Sequence, residues 1–130
     1  MPSFTFRKEE RLKSRKIIGQ IFKKGNSVNA YPFRLVWVKT SLPVSDVPIQ
    51  FALTVPKRAF PKATQRNRIR RQMREAYRLN KPYLFKTLAQ GEEQFAWMLI
   101  YIAKEGLPYL EMEKAMQKLI KRFLKQISAD

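Results

Sequence analysis

Between Lys57 and Lys81 the chain reads KRAFPKATQRNRIRRQMREAYRLNK, in which ten of 25 residues are Lys or Arg and Glu75 is the only acid. Side chains of this kind at this density hold polyanions. The arginine fork meets two phosphate oxygens at once and its plane stacks on nucleobases, whereas lysine offers a compact point charge. Read as a helix from about Thr64, the stretch puts Ile69, Met73, Ala76 and Tyr77 on one buried stripe at the i, i+4, i+7, i+8 spacing. Asn67, Arg70, Arg71, Arg74 and Arg78 then fall together on the opposite side, and Arg66 flanks the stripe in the first turn. Like charges four residues apart, as in Lys62/Arg66 and Arg66/Arg70/Arg74, repel by a few tenths of a kcal/mol per pair. A solvated face normally alternates the sign of its charges. This one does not, so it reads as a surface for a polyphosphate, nucleic acid first; the competing reading is a face that water alone covers.

What is missing narrows the chemistry further. Without Cys there is no thiol nucleophile and no Cys-ligated metal, and without His the usual general base of protein nucleases is absent. The ten acids, Glu9, Glu10, Asp46, Glu75, Glu92, Glu93, Glu105, Glu111, Glu113 and Asp130, form no recognisable two-metal carboxylate pattern. The expectation is a protein that binds RNA, ligates no metal of its own and leaves the cutting to something else.

At 130 residues the chain is one domain, 1–130, large enough to bury a core. A net charge of +17 and a pI of about 10.5 attract RNA, DNA or an anionic membrane before any specific contact forms. The membrane reading is the weakest, because no apolar run reaches the ~18 residues of a span. The opening MPSFTFRKEE also lacks the apolar core of a signal peptide, so a cytoplasmic location is expected.

The elements that must position the arginines follow from periodicity. Residues 1–13 read as a basic, partly flexible arm with apolar points at Phe4, Phe6 and Leu12. SRKIIGQIFKKG reads as a short helix capped by Ser14 and stopped at Gly25, with Ile17, Ile18, Ile21 and Phe22 on one stripe and Phe22 partly exposed. Ser27–Lys39 alternates as a strand, Phe33, Leu35 and Trp37 on one face and Arg34, Val36 and Val38 on the other, with Pro32 splitting off a short strand near Val28. Ile49–Val55 alternates in the same way across the turn SLPVSDVP, and the two runs are expected to pair as an antiparallel hairpin. NKPYLFKTLAQGEEQ reads as a connection holding one helical turn. FAWMLIYIA reads as a central strand buried on both faces, and a last helix begins near Pro108. Helix, strands, helix, strand, helix in 130 residues makes a compact α+β domain.

RNRIRRQMREAYR, Arg66–Arg78, resembles the arginine signature of the bacterial ribonuclease P protein family. RLK (Arg11–Lys13), IFKKG, LTVPKR and LIYIAK stand in that family's order over about 110 residues of the chain. The resemblance implies an α-β sandwich: a small mixed sheet in the order α-β-β-(β)-α-β-α, with a left-handed βαβ crossover through the arginine helix. It implies a partner, the catalytic RNA subunit, and a substrate, precursor tRNA, whose 5′ leader is removed by hydrolysis at Mg²⁺ bound by the RNA. No obligate protein partner and no membrane are implied.

Carried over by position, Lys57, Arg58, Lys62, Arg66, Asn67, Arg68, Arg70, Arg71 and Arg74 face the RNA subunit, with Arg68 projecting to the side and Arg70 bridging two faces. Ile18, Phe22, Phe33, Arg34, Val36 and Lys104 line a groove for the single-stranded leader, where bases stack on aromatic rings with little sequence preference. The chain departs from the family's pattern at three places. Ile18 stands where a second cleft aromatic is common, Glu105 follows Lys104 where a second base is common, and the Ala59–Gln65 loop is one residue longer, with Pro61 in place of a frequent Gly. Two readings from other classes share the charge: a ribosomal or RNA-chaperone protein, and a DNA-binding module laying the arginine helix in a major groove. The second lacks the short helix that precedes a recognition helix.

Overall fold

Strand alternation decides which layer each element joins. The computed structural model describes residues 8–43, 47–88 and 93–128. In chain order they form a single 3-10 turn (Lys8–Glu10), α1 (Arg15–Lys24), β1 (Asn26–Ala30), β2 (Phe33–Lys39), β3 (Ile49–Thr54), α2 (Ala63–Leu88), β4 (Phe95–Tyr101) and α3 (Tyr109–Ser128). On one face of the sheet, Phe33, Leu35 and Trp37 of β2 and Phe95, Trp97, Leu99 and Tyr101 of β4 join α2 and α3 in the main core. The other face carries a smaller cluster, in which Val38, Ala96 and Met98 pack with Leu12, Ile17 and Ile21 around α1. The result is an α-β sandwich with helices on both sides of a four-stranded mixed sheet.

The strand order is β1-β2-β4-β3. β2 pairs antiparallel with β1 and with β4, and β3 lies parallel to β4. The expected β2–β3 hairpin is therefore wrong, because β4 lies between them. The physical reason is burial: FAWMLIY is the most apolar strand, and a central position covers both of its faces, which an edge position does not. β3 reaches its partner through α2, which completes a βαβ unit.

One further expectation is corrected. α2 does not end before NKPYLFKTL but runs 26 residues, with Pro82 inside it. A proline there removes one intrahelical hydrogen bond. Lys81, Leu84 and Leu88 nevertheless continue the buried stripe of Ile69, Met73 and Tyr77, and that packing holds the last two turns together. Before α1, Leu12 N–H donates to Phe51 O at 3.1 Å and Arg11 bridges to Phe51, which lays this part of the chain along β3. Phe4 and Phe6 lie outside the described residues.

Local signals set the remaining ends. The Ser14 hydroxyl accepts from Ile17 N–H at 3.2 Å and caps α1. At Gly25 a β-carbon would sit 2.3 Å from Ile21 O and 2.6 Å from Val36 Cγ1, so only glycine lets α1 turn this tightly onto β2. Pro108 O accepts from Glu111 and Met112 N–H at the start of α3.

Candidate nucleic-acid interface

The outer surface of α2 is built from its inner one. Tyr77 stacks on Phe51 of β3 with ring centroids 4.0 Å apart and planes 3° from parallel, and meets Trp97 of β4 edge-on at 5.9 Å. Those contacts fix the rotation of the helix about its axis, and the rotation decides where each arginine points. Asn67, Arg68, Arg71 and Arg74 are exposed, as are Lys57, Arg58 and Lys62 in the approach to the helix, while Arg66 and Arg70 are half-buried.

The arginines leave the helix in three directions. Arg70 and Arg74 turn toward β3, where with Arg11 and Lys13 they border a notch of about 440 Å³ floored by Leu12, Phe51, Ala52 and Leu53. Arg68 turns the other way, as the sequence suggested, onto a hollow of about 590 Å³ between Phe60, Gln72 and the Gly106–Tyr109 segment. Arg71 lies between these two directions, and Asn67 Oδ1 accepts from Arg70 Nη1 at 3.3 Å. Among the described residues, none of Arg66, Arg68, Arg70, Arg71 and Arg74 has a carboxylate partner.

Two arginines have a different part from the one the pattern suggested. Arg66 donates from Nη1 to Phe60 O at 2.8 Å and Pro61 O at 2.9 Å, so it clamps the loop before the helix. Arg78, placed with the free cations by helical spacing, is bound to Glu75, with its Nε 3.0 Å from Oε1, and that hydrogen bond pushes its pKa up.

The second candidate surface lies on the α1 face of the sheet. Ile18 and Val36 are half-buried there beside Ala52 and Ile100, and Phe22, one turn on from Ile18, leaves 66% of its surface exposed. Arg34 is exposed on the same strand face as Val36, opposite Ile100 and Asn29 in register. Phe33 must be removed from this group. It is 0% exposed and lies in the main core, edge-on to Tyr101 at 6.4 Å, because side chains adjacent in a strand point to opposite faces. Ala52 and Ile100 were missed as groove floor. Their signal was register, which needs the true strand order.

The two surfaces meet at one end of the sheet. Thr54 and Arg34 both pair with Ile100, so the chain leaving β3 toward Lys57 and Arg58 and the chain leaving β4 toward Lys104 depart from the end that carries Arg34. Among the described residues no group of three or more acidic, His or Cys side chains is placed to hold a metal ion, and no helix is long and apolar enough to cross a membrane.

Comparison with known proteins gives a consistent answer. Residues 6–125 match the family model described as Ribonuclease P. The "Ribonuclease P protein component" of Porphyromonas gingivalis strain W83 is 34% identical over 122 residues, covering 93% of this chain and 88% of that protein. Its counterpart in Chlorobaculum tepidum is 34% identical over 116 residues, covering 82% and 75%. Among solved structures, the RNase P protein from Thermotoga maritima superposes with a TM-score of 0.66 at 25% identity, over 87% of this chain and 96% of the other. The Staphylococcus aureus protein at 21% identity shares the fold, with a TM-score of 0.67 over 87% and 94%. With its arginine face, its βαβ sheet and these relatives in agreement, the chain belongs to the ribonuclease P protein family.

Proposed function

We propose that this chain binds the catalytic RNA of ribonuclease P through α2 and the 5′ leader of precursor tRNA through the α1 face, in the cytoplasm. The observation that carries the reading is the set Arg68, Arg70, Arg71 and Arg74, which stand on one helix fixed by aromatic packing and have no carboxylate partner among the described residues. Such cations gain by replacing counterions along a phosphodiester backbone, and the arginine fork adds bidentate geometry. Phe22 offers a stacking face to an unpaired base, and Arg34 and Val36 offer charge and apolar contact beside it. The continuity of the two surfaces at the Lys57–Arg58–Lys104 end suits an RNA subunit and a leader held side by side.

In this reading the hydrolysis that frees the mature tRNA 5′ end belongs to Mg²⁺ held by the RNA. The protein's residues orient the leader and neutralise phosphate. The test is reconstitution with the cognate catalytic RNA. Cleavage of precursor tRNA at lower Mg²⁺ when the protein is present is the expected result. An unchanged Mg²⁺ requirement, or co-purification with ribosomal RNA in place of one structured RNA, overturns the reading in favour of a general RNA chaperone.

A further inference from the structure

A second cationic surface lies on α3, at the opposite edge of the sheet from α2. Lys114, Lys118 and Arg122 recur every four residues and are all exposed, so they form one row with about 6 Å of rise between neighbours. With Tyr31, Ala30 and Ala115 they border a surface groove of about 460 Å³, and Glu111 is the one acid lining it, at the end of the row. Among the described residues neither Lys114 nor Lys118 has an ion-pair partner. Arg122 is exposed, and its Nη1 donates to Asn29 O of β1, which ties the guanidinium to the sheet edge. Tyr31, in the turn between β1 and β2, leaves 65% of its surface exposed.

A row of unpaired cations beside an exposed ring is the combination that holds a single strand, with phosphates on the cations and a base on the ring. A duplex needs only the cations, because its bases are already stacked. α3 packs over β1 and β2 while α2 packs over β3. With the order β1-β2-β4-β3, the two sheet edges are three strand spacings, or about 14 Å, apart. The α2 arginines and the Lys114–Lys118–Arg122 row therefore belong to helices that stand over different strands.

We propose that Tyr31, Lys114, Lys118 and Arg122 form a second RNA site that takes an unpaired segment, its backbone along α3 and one base against Tyr31. The site does not depend on which RNA α2 binds, so it is tested on the full chain alone with a short oligouridylate carrying 4-thiouridine. Photocrosslinks mapped to single residues are expected at Tyr31 and along α3, and are expected to disappear in a Lys114→Gln/Lys118→Gln variant of unchanged melting temperature. The same variant is expected to flatten the slope of log affinity against log salt by about 1.4, at ~0.7 per lost phosphate on a single strand. Crosslinks confined to α1 and α2, or an unchanged slope, overturn the site. A hairpin duplex that competes as well as the single strand, together with a silent Tyr31→Ala, overturns the assignment to unpaired RNA.

Discussion

Lys81 Nζ lies 2.7 and 2.8 Å from the two carboxylate oxygens of Glu10, with both side chains nearly excluded from solvent. The pair joins the N-terminal turn to the second-last turn of α2 across 71 residues of chain, and Phe85 lies against the ammonium at 5.5 Å. Its effect is to hold the arginine helix against the segment carrying Arg11 and Lys13.

Removing either group takes a buried opposite charge, and the two hydrogen bonds to it, away from the other. Glu10→Gln or Lys81→Met is each expected to cost about 3–5 kcal/mol in urea unfolding, whereas the double substitution is expected to recover much of that loss. Additive losses in the double variant would show that the two groups do not act as a pair.

The pair also marks the limit of what was legible in the sequence. The parity of β2, the burial of β4 on both faces, the Ser14 cap and the face on which Arg70, Arg71 and Arg74 stand all follow from local spacing, and the structure agrees. Glu10–Lys81 does not, because Lys81 reads as one more cation of a basic run until the fold buries it. Strand order failed for a related reason: β2 and β3 are neighbours in sequence, but the most apolar strand takes the centre. Phe33 is a different kind of miss. Its alternation with Arg34 and Val36 already placed it on the other face, and only the carry-over by resemblance set it in the groove.

Arg71 and Arg66 separate binding from stability. Arg71 is exposed and has no side-chain partner among the described residues, so Arg71→Ala is expected to leave unfolding unchanged. It is expected to flatten the salt dependence of RNA-subunit affinity by about 0.7–0.9 per lost phosphate. Arg66→Ala is expected to weaken binding and also to lower stability by about 1–3 kcal/mol, because the Phe60 and Pro61 carbonyls lose their charged donor. Equal effects of the two substitutions on unfolding would contradict the clamp.

Tyr101 sets an alkaline limit to stability. Burial, first, and the nearby Tyr31, second, push its phenol up to about 12 from an ordinary 10.0, and its hydroxyl donates to Glu105 O at 2.7 Å. The unfolded chain loses this proton at lower pH than the folded one, so the contribution is whole below pH 10.0 and is lost as pH rises toward about 12. Buried Tyr77, also shifted up, acts in the same direction. Melting temperatures of Tyr101→Phe are expected to fall less steeply than wild type across that window. Parallel curves would mean the phenol ionises alike in both states.

Phe22 and Phe33 give opposite outcomes from the same substitution. Phe22 is 66% exposed on α1, so Phe22→Ala removes little packing and is expected to change unfolding free energy by less than about 0.5 kcal/mol. Its loss is expected to appear in function, as a smaller ratio of affinities for precursor over mature tRNA, because one base of the leader loses a stacking face worth about 1–3 kcal/mol. Phe33 is wholly enclosed beside Tyr101, and Phe33→Ala is expected to cost about 3–5 kcal/mol of stability. Variants of Phe33 that still fold, such as Phe33→Leu, are expected to keep the wild-type affinity ratio. If Phe33→Leu lowers that ratio while Phe22→Ala does not, the leader lies elsewhere than on the α1 face.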